Sequence, residues 1–391
     1  MAAVVARLGG DTFLAQAFGR TYRFVPGDAD TIAGLLDWDD LNEILARHRM
    51  AVPRLRLSAG GVTVPQDSYS SPLVSRRSTV WNRLHPAALH DQLARGATLV
   101  IDAVEELHPA VQRLADELAA WLRASVQANL YASWTGMEGF GTHWDDHDVV
   151  VVQLDGAKRW KLYGPTRTSP MHQDVAEPDP PPEQPAAEFV LTAGDMLYLP
   201  RGWWHSVSAS EGIRSLHLTF GLTTVTGSHL VTWLSEVLRR EEAFRADLPR
   251  FGTAEQKQDF ADSLRELLVK ELTSGGVVDR FADNLDATER LRFQPSLPHV
   301  VEVPPEPELL AHLVATRHAI SAGEGGTVVI TAGGESWTFA EAARPILERL
   351  ADRRPYRLGD LIQGTGVSLH QVAALLTELV KGQVAAVGGR L

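Results

Sequence analysis

Five metal-capable side chains crowd one short stretch. "GTHWDDHDVVVV" sets His143, Asp145, Asp146, His147 and Asp148 within six positions, directly ahead of an apolar run. Residues two apart share a face of an extended chain, so His143 and Asp145 point one way while Trp144 and Asp146 point the other. Such a pair offers two ligands to one octahedral ion. A third is available from "GDMLYLPRGWWHSV", where Gly194-Asp195 begins a strand and Pro200 to Gly202 turns the chain before His205. Two imidazoles and one carboxylate on one side of an ion leave positions open for substrates, the set associated with non-haem Fe(II). Taken singly, each motif has a plainer account, because HxD is common by chance and a lone His after "RGWW" is usually a satisfied interior or surface residue. Their joint occurrence in strand-and-turn surroundings favours the metal. On an extended strand His147 would lie roughly 13 Å beyond His143, which makes it a substrate-facing or supporting group rather than a ligand. Asp146 and Asp148 read as solvated or hydrogen-bonded charge.

The elements that must carry these residues follow from periodicity. "VQANLYASW" alternates, placing Gln127, Asn129 and Tyr131 on one face and Val126, Ala128 and Leu130 on the other. "VVVVQLDGAKRWKLY" predicts a hairpin about Asp155-Gly156. In "SLHLTF", His217 and Thr219 share one face, and Leu216, Leu218 and Phe220 share the other. Short strands and turn signals from about 126 to 225 predict a sandwich or small barrel. Upstream, 28–48 has helical spacing, 53–64 reads as two strands around Gly60-Gly61, and 108–125 is an amphipathic helix with Pro109 in its first turn. The Pro-rich stretch 174–188 reads as a surface loop. From 228 to 297 the pattern is helical, and a Pro-rich junction at 296–310 leads to a remainder ending in short helix, turn, longer helix and strand. That order suggests a winged helix-turn-helix.

The totals narrow the chemistry. The 391 residues suffice for two or three domains, and the absence of cysteine excludes disulfides, thiolate metal sites and Cys nucleophiles. A net charge of -12 suits a basic protein partner better than bulk nucleic acid or an anionic membrane. No apolar stretch approaches the ~20 residues needed to span a bilayer, so a cytoplasmic protein without a membrane segment is expected.

"HWDDHDVVVVQLDGAKRW", with "PRGWWH" and "SLHLTFG" downstream, resembles the JmjC-type cupin oxygenases, and more narrowly the ribosomal oxygenase group. The resemblance implies an α+β fold. A double-stranded β-helix (cupin/JmjC) barrel with flanking helices would occupy 1–225, its core at about 126–225. A helical dimerisation region would follow at 226–297, and a C-terminal winged-helix domain at 298–391. It implies Fe(II) on His143, Asp145 and His205, with 2-oxoglutarate and O2 as co-substrates. Lys158 matches the cation that pairs with the distal carboxylate of 2-oxoglutarate, while Asn129, Tyr131 and Thr219 match residues lining that pocket. No catalytic side chain beyond the metal ligands is expected.

The implied reaction is hydroxylation of a protein side chain, with succinate and CO2 as co-products. The group points to a basic ribosomal protein and to arginine, acted on by a homodimer. Hydroxylation of a ribosomally made peptide is the alternative, and a non-catalytic cupin scaffold or a DNA-binding regulator stands behind it. DNA recognition would need basic residues, whereas "VSLHQVAALLTELVKG" carries only Lys381.

Overall fold

Alternating apolar residues build the first of two units, Met1–Thr224 and Val225–Leu391. The computed structural model describes residues 2–135, 139–175, 180–209 and 213–388. In the first unit the strands are β1 (Arg23–Val25), β2 (Leu55–Ala59), β3 (Val62–Thr63), β4 (Ser70–Ser75), β5 (Ser78–Leu84), β6 (Thr98–Ile101), β7 (Ser125–Ser133), β8 (Asp148–Pro165), β9 (Ala187–Thr192), β10 (Met196–Leu199), β11 (Trp203–Ala209) and β12 (Ser215–Thr223). A main antiparallel sheet runs in the order β1-β10-β8-β12-β7-β6-β2-β3, with β9 and β11 also paired to β8. Strands β4 and β5 form a separate hairpin.

Strand β8 joins the layers. Its first part lies between β10 and β12, and its second part between β9 and β11. The expected hairpin at Asp155-Gly156 is therefore absent, and the chain runs on as one 18-residue strand. Gly156 instead takes φ +68° beside a register slip between Leu216 and His217 of β12. A Cβ there would stand 1.7 Å from the Arg214 carbonyl oxygen. The Asp-Gly pair thus marks a bulge and a close backbone approach, a use of glycine that resembles a turn signal in sequence.

Because β8 is covered on both sides, its valine run is buried throughout. Val150 and Val152 pack with Leu216, Leu218 and Phe220 in the core shared with the helices, whereas Val149 and Val151 join Leu162, Leu191 and Leu197 in a second cluster. The helices of this unit are α1 (Ala2–Leu8), α2 (Gly10–Gln16), α3 (Trp38–Arg47), α4 (Pro86–Ala94) and α5 (Pro109–Leu122). Pro109 opens α5 at a position where its missing N–H costs no helix hydrogen bond, and α5 buries Val111, Leu114 and Leu118. The helical spacing of 28–48 breaks into a short 3-10 turn and α3. Gly34 sits at φ +76° between them, and Asp37 restarts the chain with a capping box to Asp40. Of the Pro-rich loop 174–188, residues 176–179 lie outside the described residues, and 180–186 have no helix or strand.

The second unit contains α6 (Gly227–Val237), α7 (Glu242–Arg245), α8 (Ala254–Thr273) and α9 (Val277–Thr288). It continues through β13 (Leu310–Leu313), β14 (Ala319–Gly323), β15 (Thr327–Ala332), β16 (Glu335–Ala340), α10 (Arg344–Leu350), β17 (Tyr356–Arg357), α11 (Leu358–Leu361), α12 (Leu369–Lys381) and β18 (Ala385–Val387). Strands β14, β15 and β16 form one small sheet, and β17, β13 and β18 another, around a core that includes Val328, Ile330, Leu347, Leu361 and Leu376.

Gly156→Ala is expected to cost at least about 2 kcal/mol, because it combines a positive φ with a backbone collision. The check is the midpoint of urea unfolding; an unchanged midpoint would show that the bulge tolerates a side chain.

Candidate metal centre

His143 and His205 are joined before their side chains meet. They form an isolated antiparallel bridge in which His143 N–H donates to the His205 carbonyl at 3.0 Å and His205 N–H donates to the His143 carbonyl at 2.8 Å. Gly202 N–H adds a bond to the Asp145 carbonyl at 2.8 Å. The 143–145 segment is not part of a regular strand; this pairing with the start of β11 positions it.

The ring geometry selects a tautomer. Nδ1 of His143 lies 3.0 Å from the Gly141 carbonyl, and Nδ1 of His205 lies 2.9 Å from the Trp203 carbonyl. A carbonyl only accepts, so each Nδ1 carries the proton and each Nε2 presents its lone pair. The two Nε2 atoms stand 3.9 and 3.7 Å from the Asp145 carboxylate oxygens. One ligand atom from each residue lies within 4.8 Å of the others. Burial, and then the neighbouring His143, lower the His205 imidazole to about 4, so it is neutral at physiological pH. Two imidazoles whose Nε2 atoms face one carboxylate fit a divalent cation with open positions.

A cavity of about 290 Å³ contains all three groups. Its polar lining follows from strand register. Tyr131 of β7 is opposite His217 of β12, and Asn129 is opposite Thr219. Directly paired residues project to the same face, so these four line one wall. Tyr131 and His217 stack at 4.9 Å with an interplanar angle of 5°. Lys158 enters the same cavity from β8 just beyond the bulge, only 4% exposed, and its Nζ donates to Ser133 Oγ at 2.7 Å. Burial lowers the Lys158 ammonium to about 8, and raises the Tyr131 phenol with help from Asp145, which keeps that hydroxyl protonated. His217 is held well below the ordinary imidazole value by burial and by Lys158, and its Nδ1 has no partner among the described residues.

His147 also lines the cavity but lies outside the ligand cluster, with Nδ1 3.1 Å from Asp146. Asp146 also accepts from His172 at 2.8 Å. Burial would raise the Asp146 carboxyl, but the bonds from His147 and His172 outweigh it and hold the group below its usual range. Asp148 is buried rather than solvated, accepting from the Tyr198 hydroxyl and, at 2.9 Å, from Arg201 N–H. Sequence reasoning missed Ser133 and Arg56 of the cavity region. Ser133 had a signal, since it follows Tyr131 by two on the same strand face. Arg56 is placed by the β2–β6–β7 pairing, for which its surroundings in the chain carry no sign.

The JmjC domain family model matches residues 104–230. That stretch of the chain therefore matches a JmjC domain. Ribosomal oxygenase 2 of Mus musculus is 28% identical over 247 residues, 60% of this chain and 51% of the mouse protein. YxbC of Bacillus subtilis, described as uncharacterized, is 38% identical over 157 residues, 35% of this chain and 47% of that protein. The chain spans about half or less of the length of the curated relatives it matches. YcfD, a ribosomal oxygenase from Escherichia coli solved with cobalt and 2-oxoglutarate, superposes with a TM-score of 0.60 at 18% identity, covering 97% of this chain and 98% of YcfD. That likeness shows that the two chains share a fold.

The buried Lys158 carries a sign-specific consequence. Its folded-state pKa is below the unfolded value of 10.5, so keeping it charged destabilises the protein fully below pH 8. The penalty disappears as pH rises from about 8 toward 10.5. Lys158→Met is expected to raise stability at pH 7 by roughly 1–3 kcal/mol, with the gain shrinking by pH 10 in denaturant titrations. A loss of stability at pH 7 would contradict this.

Proposed function

We propose that the protein is an Fe(II)- and 2-oxoglutarate-dependent dioxygenase that hydroxylates a protein side chain, most simply an arginine of a ribosomal protein. The observation that carries the reading is one cavity lined by both the His143–Asp145–His205 cluster and the buried Lys158, whose Nζ donates to Ser133. His143, Asp145 and His205 would hold the iron. Iron and co-substrate together supply oxidation of an unactivated C–H bond by O2, coupled to conversion of 2-oxoglutarate to succinate and CO2. The chain's own groups bind and orient. Lys158 offers a charge-assisted bond to the distal carboxylate, and its burial makes that bond stronger than one formed in water. The Tyr131 and Thr219 hydroxyls and Asn129 complete the polar wall, while Trp160 and Phe140 add apolar lining that limits water. No side chain is required as a general base.

The ribosomal target is supported by the names of the relatives and by the net charge of -12, which suits a basic protein. We assign 1–225 to catalysis, 226–297 to homodimer formation and 298–391 to a winged-helix-like domain. Exposed Leu248, Phe251, Val231 and Val278 support an interface in the middle region. The α10-β17-α11-α12-β18 order supports the third. With only Lys381 basic on α12, DNA is not its expected ligand. We place the activity in the cytoplasm; no helix among the described residues is long and apolar enough to cross a membrane.

Anaerobic addition of Fe(II) and 2-oxoglutarate should produce a weak visible charge-transfer band, lost in His143→Ala, Asp145→Ala and His205→Ala. Absence of the band together with absence of 2-oxoglutarate binding would end the oxygenase reading. Lys158→Met should weaken 2-oxoglutarate binding about 10- to 100-fold, and affinity for the wild type should fall as pH rises above 8. For the target, mass spectrometry of ribosomal proteins from a strain lacking the gene should show one peptide lighter by about 16 Da, one oxygen atom; an unchanged set would redirect the search to small peptides.

A further inference from the structure

The acidic balance of the chain hides a segregated basic segment. Residues 46–95 contain eight arginines against two acidic residues, Asp67 and Asp91. That stretch is +6 within a chain of -12, leaving -18 on the rest. Arg47, Arg54 and Arg56 are matched by Glu43, Glu106 and Asp102. Among the described residues, no ion pair involves Arg49, Arg76, Arg77 or Arg83, and all four are exposed.

Three of these lie along the β4–β5 hairpin, and the fourth, Arg49, stacks on it. Arg76 and Arg77 form its tip, between the paired Ser75 and Ser78. Arg76 adopts φ +52°, a conformation that glycine or asparagine takes at lower cost in a two-residue hairpin loop. Arg83 shares a strand face with Trp81, and the Arg49 guanidinium lies 3.9 Å from the centre of the Trp81 ring. That stacking holds one cation in place on the hairpin. The segment also reaches the JmjC cavity: Arg56 lines it, and Gly61 N–H bonds the carbonyl of cavity-lining Gly139 at 3.0 Å.

We propose that the β4–β5 hairpin is a docking surface for the phosphate backbone of RNA. Guanidinium groups without carboxylate partners match phosphate geometrically and electrostatically, and a stripe of arginine along one element is the usual electrostatic footprint of nucleic-acid contact. The choice of RNA rests on the ribosomal reading above, because a ribosomal substrate brings RNA beside the modified protein. Basic protein would then be met by the acidic remainder of the chain, and RNA by this hairpin.

The test uses the full chain and a fluorescein-labelled, mixed-sequence, single-stranded RNA of twenty nucleotides, read by anisotropy without iron or 2-oxoglutarate. Failure here therefore leaves the oxygenase reading standing, and failure of that reading leaves this measurement valid. Binding should weaken at least about 10-fold between 50 and 200 mM salt. The combined Arg76→Gln, Arg77→Gln, Arg83→Gln variant should lower the salt slope by about 2 and weaken binding at least about tenfold. Its circular dichroism and melting should match the wild type, because the replaced side chains are exposed. No RNA binding, or equal binding by the folded variant, overturns the proposal. So does displacement of RNA by poly-glutamate as effective as by unlabelled RNA, which would assign the surface to an acidic polypeptide. So does tighter binding to the same length of single-stranded DNA, or capture by phosphatidylserine vesicles with no retention of RNA.

Discussion

The backbone bridge between His143 and His205 is the constraint on which the site depends. Two hydrogen bonds between distant stretches of chain bring the imidazoles together, and a third from Gly202 fixes Asp145 beside them. Each ring is then oriented by a carbonyl at Nδ1, which leaves both Nε2 atoms as acceptors facing the carboxylate. Side-chain torsion alone would leave these groups many alternatives. Backbone pairing and ring hydrogen bonds remove most of them before any ion arrives, which reduces the ordering cost of binding.

Strand β8 supplies the second constraint. A strand shared by two layers must bend, and the bend falls at Gly156, where only a residue without Cβ fits under the Arg214 carbonyl. The bulge shifts the register and sends Lys158 into the cavity beside Ser133. An ammonium group buried with one neutral hydroxyl partner is a net burden on the free protein. An anion bound beside Lys158 would convert this unfavourable burial into a paired charge.

The distribution of charge works at a longer range. The chain is acidic overall, yet residues 46–95 carry a net charge of +6. Segregated charge can orient a partner that carries both signs, which uniform acidity cannot do.

Much of this was legible locally. Alternation at 126–133, Pro109 at the start of α5, the Gly60-Gly61 turn and the alternating faces of "SLHLTF" all depend on residues within a few positions, and all appear as the sequence predicts. The types of the three clustered ligands were legible for the same reason, since HxD and a His after a proline turn are local patterns. The hairpin at Asp155-Gly156 was misread because a bulge and a turn ask the same backbone freedom of glycine. What distinguishes them is which strands lie alongside, a property of residues more than thirty positions away. The single helical spacing over 28–48 failed at Gly34 and Asp37, whose stop and restart signals outweighed periodicity. Residue identity by itself thus determined the local elements and the kinds of ligand available. Only the tertiary pairing decided that His143 faces His205, that Ser133 receives Lys158 and that Arg56 reaches the cavity, because strand register is set by the closing of the whole sheet.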